Sequence, residues 1–482
     1  MNPKSTTKVG EPYELLGKRL VFTNWYYIRP GTFQWQDAEG KALGLSASVD
    51  PLSARLHQYD VPKGIRLATR NANRLGPLEA DLACVIQDGP LYRAWCGVRY
   101  LESDDGFSWR TKTINGNTGI VFIDPSAPAS ERYKTVYSAD ATPEQFERYK
   151  KARPDDWHWL ALAADPGRIH SIQGAVSPDG LNWDPLPAPV SVEHSDTFIV
   201  AYYDERLRKY VMYTRNYPAG PRSEKVPYRE FRVWDATRRS IGRTESEDFR
   251  SFPISEVILE PTPDMPPCDM LYANGRTSIP GAPDHHLMFA SVWHAAMDDT
   301  TSIALASSHD GRLWHWVPGP KVLDTASFGE WDGGCVFMLP NLIELPNGDF
   351  AMPYYAANVP HKYPRGRQKT ATGYAIWPKG RLVGLDAPEY GEFATVAIVP
   401  PGRKLKINAT TSLAGSISVE VAHWNYTPIP GRSFAESVPL RGDLFRQTVA
   451  WKSGDDLGYD EGQCIILRFR MHNASIFNVE FG

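Results

Sequence analysis

One short motif recurs along the chain and narrows the folds open to it: Ser-x-Asp-Gly-x-x-Trp. It reads SDDGFSW at 103–109, SPDGLNW at 177–183 and SHDGRLW at 308–314, with a degenerate copy, SEDFRSF, at 246–252. These residue types describe a tight turn. Glycine supplies a positive φ, Ser and Asp bond back to the local backbone, and Trp packs the turn onto a sheet. Successive copies stand 74, 69 and 62 residues apart, room for one four-stranded sheet with its loops. Asp105, Asp179 and Asp310 are accordingly read as turn residues.

A second pattern accompanies the turns. An acidic or polar residue leads into an apolar strand, then a turn, then a strand ending in aromatics. It occurs at 79–98, at 115–125 continuing through 132–139, at 194–217, at 268–294 and at 331–356. Five such units, repeated radially, predict a β-propeller, which leaves only short protected edges. The fold class expected is all-β: a five-bladed β-propeller over 61–380 followed by a C-terminal β-sandwich over 381–482, where alternating strands continue without the turn motif. Residues 1–60 lack a unit of their own and are expected to close the propeller, with 19–35 supplying the outermost strand of the last blade. One surface helix is expected, at 142–152.

Composition excludes more than it selects. The 482 residues carry 52 basic and 56 acidic side chains, a net charge of −4, and no Lys/Arg-rich block, so nucleic acid is not an expected partner. No run of about 18 apolar residues occurs, so no membrane span is expected. The N-terminus shows no apolar leader core, which points to the cytoplasm for the chain as given, and to the periplasm or outside if a signal was removed. Cys84, Cys96, Cys268, Cys335 and Cys464 are scattered and form no Cys-x-x-Cys pair, so neither zinc nor a disulfide framework is implied. Cys84 and Cys96 flank a hairpin and read as buried thiols. Aromatics reach 12%, with 15 Trp and 23 Tyr; this suits strands, and it suits carbohydrate, whose C–H faces stack on flat rings.

In a propeller the start of each innermost strand faces the central funnel, so acidic residues there converge from distant parts of the chain. The candidates are Glu79 and Asp81, Asp196, Asp269, and Asp332. Glu79 and Asp81 are two apart and would share one face of a strand; facing each other, they would raise one pKa, as an acid catalyst needs. Glycosidic bond cleavage uses two such carboxyl groups, differently tuned. Glu79, Asp81, Asp196 and Asp269 are therefore the catalytic candidates. His194, Arg243, Arg276, Trp293 and Asp332 are the substrate-binding candidates, the arginines as bidentate clamps for an acidic sugar. Trp25, Tyr26, Tyr27 and Tyr272 are further candidates for stacking surface. His285 and His286 are adjacent and point to opposite faces of a strand; no His-x-His or HExxH spacing marks a metal site. No cofactor is expected, and nothing marks the structural calcium that such a fold can hold on its axis.

The segments GPLEAD (76–81), YLESDDGFSW (100–109), DPSAPASERYK (124–134), SPDGLNW (177–183), HSDT (194–197), TESEDF (244–249), SSHDGRLW (307–314) and IILRFRMHNASIFNVEF (465–481) carry a resemblance. The chain resembles the five-bladed propeller glycoside hydrolases of the invertase and fructanase group (family 32) and the arabinanase type. It is most similar to uncharacterised bacterial proteins described as family 32 N-terminal domain-like. The resemblance implies a glycoside hydrolase with a carbohydrate substrate. The family-32 Trp-Met/Leu-Asn-Asp-Pro-Asn-Gly, Arg-Asp-Pro and Glu-Cys motifs are absent, the nearest text being IDP at 123–125, so fructosidase activity is not implied. The turn motifs also resemble those of sialidases, which need three arginines converging on a carboxylate; Arg215, Arg243 and Arg276 are the residues available. Two rivals stand beside hydrolysis: a lectin-like propeller that binds without cleaving, and a sialidase- or lyase-like enzyme on acidic sugars.

Overall fold

Five strands of the chain are apolar on both faces, a pattern that only coverage from both sides satisfies. Val85, Val121, Val200, Leu271 and Val336 sit on these strands, and all are buried. In the computed structural model, which describes residues 11–152, 168–218, 225 and 237–482, each such strand opens an antiparallel sheet. Residues 1–10, the first half of the stretch read above for a leader, lie outside the described residues.

The first sheet runs Cys84–Asp88, Leu91–Cys96, Arg99–Ser103 and Arg110–Thr113. The second runs Ile120–Ile123, Tyr133–Asp140, His170–Ser177 and Asp184–Pro185. The third runs Val200–Asp204, Lys209–Asn216, Ser240–Ser246 and Glu256–Leu259. The fourth opens with Asp269–Ala273 and Arg276–Ile279, both on Ala282–His294, and ends with Thr301–Ser308 and His315–Trp316. The fifth opens with Cys335–Met338 and Ile343–Glu344 on Phe350–Ala357, continues with Thr370–Trp377, and is completed by Asn73–Leu75 from the N-terminal part of the chain. The helix Pro143–Ala152 begins with a reciprocal cap, Thr142 and Gln145 each bonding the other's backbone N–H at 2.9 and 3.2 Å.

Sheets meet through side chains, and they do so in cyclic order. Trp95 of the first sheet shares a core with Tyr133 of the second. Ile172 of the second shares one with Met212 of the third, and Tyr213 of the third with Met288 of the fourth. Phe289 of the fourth shares a core with Met352 of the fifth. Tyr374 of the fifth then shares one with Val85 of the first.

The motif turns link third to fourth strands. Asp105 Oδ1 accepts from the N–H groups of Phe107 at 2.8 Å and Ser108 at 2.7 Å. Asp179 accepts from Leu181 and Asn182 at 2.8 and 2.9 Å, and Asp310 from Arg312 and Leu313, both at 2.8 Å. Asp248 of the degenerate copy does the same with Arg250 and Ser251, at 2.7 and 3.1 Å. Gly106, Gly180 and Gly311 hold φ of +81°, +77° and +69°, a region glycine enters freely. Each of these glycine carbonyls also accepts from the preceding sheet: Gly180 from Trp95 Nε1 at 2.8 Å, Gly311 from the Tyr213 hydroxyl at 2.6 Å, and Gly106 from the Tyr374 hydroxyl at 3.0 Å.

The C-terminal part forms one hydrogen-bonded sheet from the long strands Leu405–Ala422, Ile466–Phe481 and Val383–Ala394, with Asp443–Thr448 and Arg66–Thr69 at its sides. Register shifts at Ala387/Tyr390 and Thr411/Ser416 bend the long strands. Its interior residues join the core of the fourth and fifth sheets.

Here the expectation for 19–35 is corrected. Arg19–Val21 pairs with the C-terminal strand at Asn478–Glu480, and Thr32–Gln36 forms a separate hairpin with Arg55–Tyr59. The strand that completes the fifth sheet is Asn73–Leu75. The apolar text at 19–28 carried no register, and the C-terminal strand offered it a free edge. The five cysteines are free thiols, with Cys84 buried and opposite Trp95, while Cys96 is partly exposed opposite Arg99.

Tyr374→Phe removes nothing but one of the side-chain bonds joining the fifth sheet to the first, the other being Tyr92 Oη to the Glu344 carbonyl at 2.7 Å. It is expected to lower unfolding free energy by about 1 kcal/mol, against roughly 3–5 kcal/mol for the cavity left by Tyr374→Ala. Urea unfolding checks both; a Phe variant with the wild-type midpoint would remove the hydroxyl bond from the account of ring closure.

Candidate functional site

In each sheet the first strand starts beside the end of the second and the start of the third, and the motif turns lie at the opposite end. The rim so defined brings together His170 from the second sheet, residues 194–197, Arg215 and Arg239 from the third, Tyr272 and Trp293 from the fourth, and Phe337, His361 and Lys362 from the fifth. They form a continuous chain of contacts. The His170 and His194 rings stack at 4.1 Å. His194 Nδ1 lies 3.4 Å from Arg215 Nη2. Arg215 Nη1 bonds the Asp196 carboxylate, and Arg239 Nη2 stands 3.8 Å from the same oxygen. The Arg239 guanidinium lies over the Tyr272 ring at 3.9 Å. Tyr272 contacts His361 at 4.4 Å and Phe337 at 5.3 Å, and His361 meets Trp293 edge-on at 5.3 Å. Lys362 Nζ lies 5.2 Å from the Trp293 ring.

The electrostatics follow from burial and from the arginines. The Arg215 and Arg239 side chains are only 6% and 5% exposed, while Asp196 is 49% exposed. Burial works to raise the Asp196 pKa, but Arg215 and Arg239 outweigh it and hold the carboxyl below the usual range. His194 is pushed down to about 4, by burial first and then by Arg215, so its ring is neutral at pH 7. His361 is pushed down to about 4 by burial and Lys362. Burial and Arg215 also lower Arg239, and burial, Arg365 and Arg239 lower Lys362. Behind the cluster, Glu193 is sealed between the second and third sheets. It accepts from Ser255 Oγ at 2.6 Å and Ser191 Oγ at 3.4 Å. Burial raises its pKa to about 7.

Of the sequence candidates, Asp196, His194, Trp293, Tyr272 and Arg215 lie in this cluster. Asp269 starts the next inner strand. Its Oδ2 meets His294 Nδ1 at 3.0 Å, His294 Nε2 meets Ser302 Oγ at 2.9 Å, and Asp269 Oδ1 is buried with no partner among the described residues. Ser302 is itself buried, so this Asp-His-Ser relay braces the strand start and presents no nucleophile. Asp332 is buried, accepting from the Tyr354 hydroxyl at 2.9 Å with Arg74 Nε at 3.6 Å.

Three expectations are corrected. Glu79 and Asp81 precede the first inner strand, which begins at Cys84; they lie in a bend, so no strand face is shared. Both are exposed, and Asp81 pairs with Arg99 at 3.0 Å. Arg243 and Arg276 are turned away from the rim. Arg276 lies over the Tyr202 ring at 3.3 Å and meets His286 Nδ1 at 2.6 Å, and Arg243 pairs with Glu245 at 3.2 Å. The three-arginine convergence of Arg215, Arg243 and Arg276 is therefore not formed. Tyr26 and Tyr27 are occupied against His309 and His285, at 4.0 and 4.9 Å.

Sequence reading missed Arg239, His361, Lys362 and Glu193 as site residues. Arg239 directly precedes the strand that carries Arg243, and that position at a strand's entry was the available signal. Among the described residues no group of three or more His, Cys, Asp or Glu is arranged to hold a metal ion, and no helix is long and apolar enough to cross a membrane. A separate concavity, lined by Tyr59, Asp60, Lys63 and Glu392, is spanned by Arg468, which pairs with Asp60 at 2.8 Å and with Glu420.

No family profile and no curated protein matches the chain. Solved structures similar to it include a thermostable family-43 glycoside hydrolase (14% identity, 65% of this chain, 95% of that chain, TM-score 0.40). They also include a xylan β-1,4-xylosidase from Bacillus halodurans (10% identity, 85% and 99% covered, TM-score 0.38). A third is the family-32 β-fructofuranosidase of Bombyx mori (10% identity, 88% and 94% covered, TM-score 0.35).

Glu193 ties stability to pH. Its folded pKa of about 7 lies above the ordinary 4.5, so the folded chain holds the extra proton between those values. The contribution is fully present below about 4.5 and is lost as pH rises through about 7. His194, depressed to about 4, acts in the opposite sense, its contribution falling as pH drops from 6.5. Comparing wild type with Glu193→Gln isolates the first term. From pH 4.5 to 8 the wild type should lose up to roughly 3 kcal/mol relative to the variant, read from denaturant midpoints. Parallel pH profiles would mean that Glu193 titrates normally.

Proposed function

We propose that the chain is a glycoside hydrolase. We infer that the cyclic order of five sheets is a five-bladed propeller over 61–380, and that the bent C-terminal strands of 381–482 fold over one another as a β-sandwich. The sugar would sit at the rim where the inner strands start. One observation carries this reading: a half-exposed carboxylate, Asp196, is kept ionised by two buried guanidinium groups beside a wall of aromatic rings, Tyr272, Trp293 and Phe337.

The chemistry then divides between two carboxyl groups. Asp196, ionised, is the nucleophile toward the anomeric carbon or the base that takes a proton from water. The second carboxyl protonates the departing glycosidic oxygen, and the aglycone leaves as an alcohol. Asp269, at the start of the neighbouring inner strand, is the partner we assign; its buried Oδ1 has no hydrogen-bond partner among the described residues, and His294 holds the other oxygen. His194, neutral, and Trp293 orient the ring through a hydrogen bond and stacking.

A second reading, a lectin-like module, draws on a specific observation. Asp269 and Asp332 are buried and Asp81 is paired with Arg99, which leaves Asp196 as the exposed acid beside the aromatic wall. A hydrolysis screen on aryl glycosides and plant, algal and bacterial oligosaccharides decides between the two. Asp196→Asn and Asp269→Asn, each with wild-type unfolding behaviour, should lower kcat by roughly 10²–10⁴, with Glu79→Gln and Asp81→Asn near wild type. Glycan binding without turnover in the wild type would replace hydrolysis by the lectin-like reading.

A further inference from the structure

Resting on the carbohydrate reading of this rim, we propose that the sugar it takes carries a carboxylate, as uronic acids do, and that Arg239, with Arg215 and Lys362 beside it, reads that charge. The first argument is the balance of charge. The Arg239 guanidinium and the Lys362 ammonium lie against the aromatic wall, over Tyr272 and Trp293, and Arg215 shares Asp196 with Arg239. Asp299 lies close to Lys362, and its oxygens accept from Trp293 Nε1 at 2.9 Å and from the Lys362 backbone N–H at 2.6 Å. Asp269 is turned to His294. Asp299 thus stands as the counter-charge of Lys362, and Asp196 is the carboxylate facing Arg215 and Arg239, one anion against two guanidinium groups.

The second argument is unused bonding capacity. A guanidinium has five N–H donors in a planar fork. Arg239 is 5% exposed, yet among the described residues its side chain hydrogen-bonds only Thr197 Oγ1. Its approach to Asp196, at 3.8 Å, is beyond hydrogen-bond reach, and its Nε is buried without an acceptor, as is that of Arg215. Burying a charged donor without acceptors is unfavourable unless something completes it. A planar carboxylate matches the fork in pairs of parallel bonds.

The third argument is position. Arg239 lies over the Tyr272 ring at 3.9 Å, and Trp293 and His361 flank that ring. A pyranose stacked on this wall would carry its carboxylate toward the guanidinium edge. His194, Arg239 and Lys362 are each displaced toward their uncharged forms, by burial first and then by arginine neighbours.

The test is calorimetric binding of galacturonate and glucuronate oligosaccharides, set against the same oligosaccharides with the carboxyl reduced to the primary alcohol, and against sulfated neutral ones. Wild type should prefer the acid over its reduced form by about tenfold or more. Arg239→Gln should abolish that preference while still binding the reduced sugar. Arg239→Lys should recover part of it, and circular dichroism should find all three folded. Equal affinity for acid and reduced sugar overturns this inference and leaves the carbohydrate reading standing. A stronger preference for sulfate overturns the carboxylate assignment. Binding of none of them overturns the carbohydrate reading beneath.

Discussion

The hydrogen bond from an aromatic side chain to the carbonyl of a motif glycine holds the arrangement together. Antiparallel sheets satisfy their own backbone and have no ladder bonds to offer a neighbour, so sheets that meet face to face can slide unless something pins them. Trp95 to Gly180, Tyr213 to Gly311 and Tyr374 to Gly106 are such pins. Each needs the carbonyl to project from a turn in the left-handed region, which is why glycine stands there. The last of the three is special in topology, because it joins the fifth sheet to the first. The covalent counterpart of that closure is Asn73–Leu75, which lies on the fifth sheet and runs directly into the first.

Pinning the turn end fixes the other end. With the sheets held at one side, the starts of their inner strands meet at the opposite rim, and residues from four sheets come into contact there. The rim is tied to the interior by Glu193, whose carboxyl receives hydroxyl bonds from Ser255 and Ser191 and stands directly before His194 and Asp196 in sequence. A carboxyl so enclosed favours its proton, and the neutral form leaves no buried charge beneath the rim. Asp196, half-exposed above it, stands in a setting that keeps it ionised.

What could be read from the sequence follows from how local each signal is. The motif turns are closed within six residues, and their bonds are those the residue types require. The five apolar inner strands were legible because burial on both faces leaves continuous apolar text. Asp196 was legible as an acid shortly ahead of an apolar strand. Longer-range facts were not. Arg239 directly precedes the strand Ser240–Ser246 that carries Arg243, and four residues of extended chain move a side chain about 13 Å, enough to take Arg243 from the rim to Glu245. Glu79 and Asp81 were judged by strand parity, and parity has no meaning in a bend. The apolar segment at 19–28 announces a strand but not its partner, since a strand's edge bonds are made by backbone that every residue shares.

The arginine pair resolves a conflict that a single arginine would leave. A lone guanidinium bonded to Asp196 would have to release it in order to bind an anionic substrate, and the freed carboxylate would then repel that substrate. Here the two tasks are divided by distance. Arg215 is hydrogen-bonded to Asp196 and holds it. Arg239, at 3.8 Å, contributes to the field on Asp196 without a bond to it, and its planar face is steadied by Tyr272 and its tip by Thr197. Turning toward a ligand carboxylate would break no bond to Asp196. A second anion brought to the cluster would also offset, through Arg239, the cationic excess that Asp196 alone leaves. On the proposed reading, anion recognition by Arg239 and the ionised state of Asp196 held by Arg215 can thus coexist within one cluster.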